Sequence, residues 1–210
     1  MQEILQIVFL SLAVSISAVI IATFIGLPFG ILISLKEFKL KKLVITFLNT
    51  WIALPAVTIG LLVYIFLSRK GPFGIFRLLY TPYAIIIAQS ILALPIVISL
   101  SISSIRNSGR EIIETCVSLG ATELQSIVAV IKEFRFGLVT AIATAFARVI
   151  GETGMTLMVG GNIKGFTRVM TTAIALETMK GNFEFAIILG AILVFIALIV
   201  NLFLQYLHGN

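Results

Sequence analysis

Long apolar runs separated by short polar segments account for most of this chain. Five runs, 4–35, 44–67, 81–105, 136–159 and 185–207, reach the length of about 20 residues that an α-helix needs to cross a bilayer. The first, Ile4 to Leu35, carries no charge and is long enough to tilt, or to break at Gly26-Leu27-Pro28-Phe29-Gly30. Pro55 lies inside the second run and Pro95 inside the third. Each removes a backbone donor and predicts a kink, which serves either packing or gating. The pattern predicts an all-α integral membrane protein with about five transmembrane helices, in one domain covering residues 1–210.

A polar island at 106–135 interrupts the pattern. Ser108 with Glu111, and Thr122 with Gln125, each match a capping box. Gly120 stands where a helix end needs positive φ. The island therefore reads as helix, sharp turn, helix. Ile112, Ile113, Cys116 and Val117 recur at helical spacing, as do Leu124, Ile127, Val128 and Ile131. Each helix is expected to bury one face against the membrane body. A charged helix pair held at a membrane surface is a docking site for another protein.

Composition fixes the solvent. Of 210 residues, 60% are hydrophobic and 11% are charged, against about a quarter charged in a soluble domain. Lipid must cover this surface. The net charge of +6 comes mainly from short loops, so it reads as membrane orientation and not as nucleic-acid binding. Lys36, Lys39, Lys41, Lys42, Arg106, Arg110, Lys132 and Arg135 lie toward one side, eight against the six of Arg69, Lys70, Arg77, Lys164, Arg168 and Lys180. The excess favours an outside N-terminus and a cytoplasmic C-terminus in the cell membrane, with the island inside. The first run has no preceding Lys or Arg and exceeds a signal-peptide core, so it reads as a span.

Candidate chemistry is sparse. A single Cys116 and a single His208 exclude a His/Cys metal cluster, and no phosphate-binding loop motif occurs, so neither metal nor ATP is expected on this chain. A membrane enzyme would need clustered catalytic groups. The spans hold only Arg148 and Glu152, four residues apart and expected to pair on one helix face. Arg148 lies about 18 Å in from Phe136, near mid-bilayer. Two readings stand for it: the border of an anion route, or a structural ion pair between helices. Glu152 as the proton carrier of a secondary transporter is a further reading, but it leaves the 106–135 island without a purpose. Glycines 151, 154, 160 and 161 permit close packing and a tight turn, and 167–180 reads as a helix in an outside loop, 160–182, ending at Gly181.

The segment Glu114-Thr115-Cys116-Val117-Ser118-Leu119-Gly120 resembles the coupling loop of ABC importer permeases, with Thr115 and Cys116 in place of two alanines. The block Phe146 to Gly154, then Gly160 to Ile163, Thr167 to Ile174 and Glu177-Thr178, resembles the oxyanion permeases of that class, most closely the tungstate branch. Molybdate and sulfate branches share a looser version. The resemblance runs from about residue 80 to the C-terminus. It implies a type I ABC importer transmembrane domain working as a homodimer, with two ABC ATPase subunits and an extracytoplasmic tungstate-binding protein. ATP and Mg2+ would sit on the ATPase partners, with no cofactor bound here. It implies ATPase coupling through Glu114, Thr115, Gly120 and Ala121. Asn162, Lys164 and Arg168 would meet the binding protein or the arriving anion, or be loop residues with neither role.

Overall fold

The computed structural model describes residues 2–106 and 108–208, with side chains to residue 206. Met1, Asn107, Gly209 and Asn210, which the single-domain expectation includes, lie outside the described residues. The helices are α1 (Gln2–Leu35), α2 (Lys41–Ala53), α3 (Ala56–Leu67), α4 (Pro82–Ile105), α5 (Gly109–Ser118), α6 (Glu123–Glu133), α7 (Arg135–Ile150), α8 (Gly154–Gly160), α9 (Met170–Met179) and α10 (Phe183–His208). Among the described residues, α1, α4 and α10 are each long and apolar enough to span a membrane, and the bent pairs α2–α3 and α7–α8 bring the number to five.

Helix α4 is the axis of the bundle. It packs against α1, α2, α3, α7 and α8, and Ala84, Ala88, Ala93 and Val97 on it are fully buried. Small side chains let neighbouring backbones come close, which matters where lipid gives helices no hydrophobic reason to associate. Helix α1 meets α4 through its glycines. A Cβ on Gly26 would lie 3.0 Å from Val97 Cγ1, and one on Gly30 would lie 2.8 Å from Ser101 Cβ. The break considered at Gly26–Gly30 does not occur: α1 runs unbroken through Pro28. The glycines there serve contact with α4, and that contact keeps the helix continuous. At 34 residues α1 is about 50 Å long, well beyond a hydrocarbon core of about 30 Å.

The two proline expectations part company. At Pro55 the chain turns by 96° between α2 and α3. Leu54 is extended, with φ −64° and ψ 139°, as the steric clash of a following proline ring requires. Pro95 instead sits buried inside α4, which continues to Ile105. The expected fourth span is also broken, by 66° between α7 and α8.

The bundle has two polar ends. The α5–α6 hairpin covers the end where α1 and α4 finish, with Ile31, Ile105, Val130 and Leu138 at the core of the contact. The opposite end carries the α3–α4 loop, α9 and the start of α1. There Ser11 Oγ accepts from Met170 N–H at 2.8 Å, joining α1 to the first turn of α9.

Gly30→Val should destabilise the fold by about 1–3 kcal/mol through overpacking on Ser101. The readout is a lowered midpoint of thermal unfolding in detergent. Gly190→Ala, inside α10 where an added Cβ meets nothing, should not lower that midpoint.

Candidate functional site

The α5–α6 hairpin ends α5 with a complete Schellman turn. Gly120 N–H donates to Val117 O at 2.9 Å and Ala121 N–H to Cys116 O at 3.0 Å. Gly120 has φ +84°, and nothing lies within 4 Å of where its Cβ would be. Backbone conformation, not crowding, demands glycine there. Thr122 forms the expected capping box with Gln125: its N–H donates to Gln125 Oε1 at 2.8 Å and its hydroxyl accepts from Gln125 N–H. Ser108 does not form one. Its ψ of −4° departs from the extended N-cap backbone that Thr122 adopts at ψ 162°, so its hydroxyl is not aimed at the freed N–H groups.

Burial on the hairpin differs from the simple amphipathic expectation. Ile112, Ile113 and Ile127 do pack against the bundle. Val117 is 55% exposed, Leu119 82%, Leu124 76% and Val128 50%. The hairpin projects past the ends of α1 and α4, so only the side facing Ile105 and Leu138 finds a body to pack on. The other side leaves an apolar tip around Gly120. Glu114 pairs with Arg110 at 3.0 Å, and Thr115 Oγ1 donates to Glu111 O at 2.8 Å. Both bonds lie within α5 and add little stability at such exposure.

Arg148 and Glu152 pair at 2.7 Å, but not on one helix face. Helix α7 ends at Ile150, and Glu152 lies in the break before α8. The pair bridges the bend. Glu152 also accepts from Met155 N–H at 3.5 Å, at the start of α8, where a helix dipole favours negative charge. Other side chains satisfy the interrupted backbone: Gln89 Nε2 donates to Val149 O at 3.2 Å and Thr171 Oγ1 to Glu152 O at 3.0 Å. Arg148 is 42% exposed while Glu152 is 12% exposed. One guanidinium edge therefore stays open to whatever lies beside α7.

At the other end, Lys164 and Arg168 both turn onto Glu3, at 2.8 and 3.5 Å. Gln6 Nε2 donates to Gly165 O at 3.1 Å. Asn162 has φ +52°, and its Nδ2 donates to Thr172 O at 3.2 Å. The three expected outer-face residues thus tie the 160–169 loop to α1 and α9. Glu177 beside them accepts from Lys180 at 2.8 Å and Asn182 at 3.1 Å. These bonds hold its carboxyl below the usual carboxylate range. A cavity of about 300 Å3 among Glu3, Lys164, Arg168, Glu177, Lys180 and Asn182 therefore holds three cations against two carboxylates.

Four residues outside the sequence expectation line a larger cavity on the same end: Tyr64, Arg69, Arg77 and Tyr80. The signal that could have found them is the absence of any Asp or Glu between Glu37 and Glu111.

The family described as "Binding-protein-dependent transport system inner membrane component" matches residues 26–209. The chain belongs to this family. The tungstate uptake system permease protein TupB of Peptoclostridium acidaminophilum is 42% identical over 199 residues, 95% of this chain and 87% of the relative. A probable anion ABC transporter permease protein of Haloferax volcanii is 41% identical over 196 residues, 91% and 84% of the two chains. The inward-facing MetNI methionine ABC transporter superposes with a TM-score of 0.79 at 18% identity, covering 100% of this chain and 96% of the other. The fold is thus that of a type I ABC importer transmembrane domain. The chain is a multi-pass membrane transport component and not an enzyme.

Two outcomes follow from these contacts. Arg148→Ala should lower stability by about 1–3 kcal/mol, because it strands the more buried Glu152. Adding Glu152→Ala should recover part of the loss, read as a coupling energy in a double-mutant cycle. For Glu177, a lowered folded-state pKa gives stability that is present above the unfolded value of about 4.3 and is lost as pH falls through the folded one. The melting difference between wild type and Glu177→Gln should be full at neutral pH, begin to shrink on acidification below about 4.3, and vanish only below the folded-state value.

Proposed function

We propose that this chain is the membrane-spanning permease subunit of an ATP-driven ABC importer for tungstate. The observation that carries this reading is the apolar tip of the α5–α6 hairpin, Val117, Leu119, Leu124 and Val128, exposed around the positive-φ Gly120. Similarity to a tungstate permease over nearly the whole chain supplies the cargo. Two copies form the pathway. Two ATPase subunits, which carry ATP and Mg2+, grip the hairpin from the cytoplasm, with Glu114, Thr115, Gly120 and Ala121 at the coupling turn. An extracytoplasmic binding protein delivers the anion at the α9 end, so the N-terminus is outside and the C-terminus cytoplasmic.

The grip has a physical basis. An exposed apolar knob on a rigid helix pair fits a groove and transmits motion through Ile112, Ile113 and Ile127 to the ends of α1, α4 and α7. Arg148, at the α7–α8 bend, is where such motion meets the helix break.

Reconstitution with the ATPase subunits and binding protein tests this reading through anion-stimulated ATP hydrolysis. Tungstate should stimulate most. Stronger stimulation by molybdate or sulfate reassigns the cargo, and none by any of the three sinks the importer reading. Leu124→Glu should weaken ATPase copurification at least about tenfold, as for a central interface residue, while the permease remains monodisperse.

A further inference from the structure

The loop between α3 and α4 borders an open cleft of about 960 Å3, within the roughly 300–1,000 Å3 span of small-ligand clefts. Arg69 and Arg77 line it together with Tyr64, Ser68, Leu79 and Tyr80, and no carboxylate does. Among the described residues neither guanidinium makes an ion pair. The nearby 300 Å3 cavity differs in this respect, because there each cation already has a carboxylate partner: Lys164 and Arg168 share Glu3, and Lys180 pairs with Glu177.

The backbone that carries Arg77 is also held in place. Arg77 has φ +49° and Tyr80 has φ +63°, a left-handed backbone that costs a non-glycine residue energy and persists only where neighbours enforce it. Arg77 N–H donates to Gly74 O at 3.1 Å, and Tyr80 N–H donates to Val159 O on α8 at 2.9 Å. Thr81 Oγ1 closes the turn onto Leu78 O at 2.6 Å. A Cβ on Gly161 would lie 2.8 Å from the Tyr80 ring, so the tyrosine sits directly against the Gly160-Gly161 turn. The Tyr64 and Tyr80 rings meet edge to face, with centroids 6.4 Å apart.

We propose that this cavity is a way-station for a tetrahedral, doubly charged oxyanion, held between the Arg69 and Arg77 guanidinium groups with the tyrosine hydroxyl edge beside them. The inference rests on the importer reading and deepens it: it names the contact the anion makes on arrival at the α9 end. Guanidinium forks match oxyanion edges. A wide cavity with only two cations keeps the ion hydrated and weakly held, which transit requires, since a conducting site must release what it binds. The sequence expectation placed this contact at Asn162, Lys164 and Arg168. In the structure Asn162 is tied to Thr172, and Lys164 and Arg168 already share Glu3, whereas Arg69 and Arg77 have no acidic partner among the described residues.

The test uses the full complex in proteoliposomes with tungstate-loaded binding protein outside. It measures maximal tungstate uptake, binding-protein affinity and basal ATP hydrolysis. Arg69→Gln with Arg77→Asn, the latter keeping a residue tolerant of positive φ, should lower maximal uptake about tenfold or more. Binding-protein affinity and basal hydrolysis should stay at wild-type values. Arg69→Gln alone, away from the strained backbone, should lower uptake several-fold, and Arg69→Lys, which keeps the charge but not the fork, should restore part of it. Wild-type uptake in the double or the single variant overturns the proposal. A fall in binding-protein affinity that accounts for the lost uptake also overturns it, by making the arginines a protein contact. If the unmodified complex carries no tungstate, the importer reading itself fails, a result distinct from either.

Discussion

Hydrocarbon offers a helix neither hydrogen-bond partners nor a hydrophobic reason to join its neighbour. Close van der Waals contact between backbones must therefore hold the bundle, and here that contact is α1 on α4. Gly26 and Gly30 present no side chain where Val97, Ile98 and Ser101 press against them. With α1 and α4 fixed, α7 seats against both of them, α8 seats against α4, and α3 seats on α8. The hairpin that caps the finish of both helices is aimed by the same contact, since Ile31 and Ile105 form its seat.

Irregular backbone inside such a bundle survives only where protein satisfies it. Both breaks meet that condition in different ways. At Pro55 the freed chain is short, and Thr58 N–H donates to Pro55 O at 2.9 Å to start α3. At 151–153 the compensation comes from afar: Gln89 reaches across from α4 and Thr171 from α9. The Arg148–Glu152 pair locks the bend from the side. Three elements thus converge on one bend and fix its angle.

Charge is handled differently at different places on the α9 end. Glu3 and Glu177 pair with the cations of the 160–182 loop, tying α1 to the loop before α9 and closing the end of α9. The α3–α4 loop has no acid within reach in sequence, and the fold brings none to it. The first arrangement stabilises the fold. The second leaves positive potential facing the side from which an anion would come, where exposed charge raises local anion concentration.

The sequence by itself determined the membrane class, the number of apolar crossings, the sharp turn at Gly120, the Thr122 cap and the Arg148–Glu152 contact. Each rests on residues a few positions apart or on the average polarity of a run, so local rules suffice. Only the tertiary structure decided that α1 stays unbroken, that Ser108 makes no cap, and that Val117, Leu124 and Val128 point outward. It also decided that Lys164 and Arg168 share Glu3 while, among the described residues, Arg69 and Arg77 have no acidic partner. These outcomes depend on which distant surface each side chain meets: Gly30 meets Ser101, and Lys164 meets a residue 161 positions away. A hydropathy pattern records how apolar a face is. The neighbour that covers it is fixed only once the helices are packed.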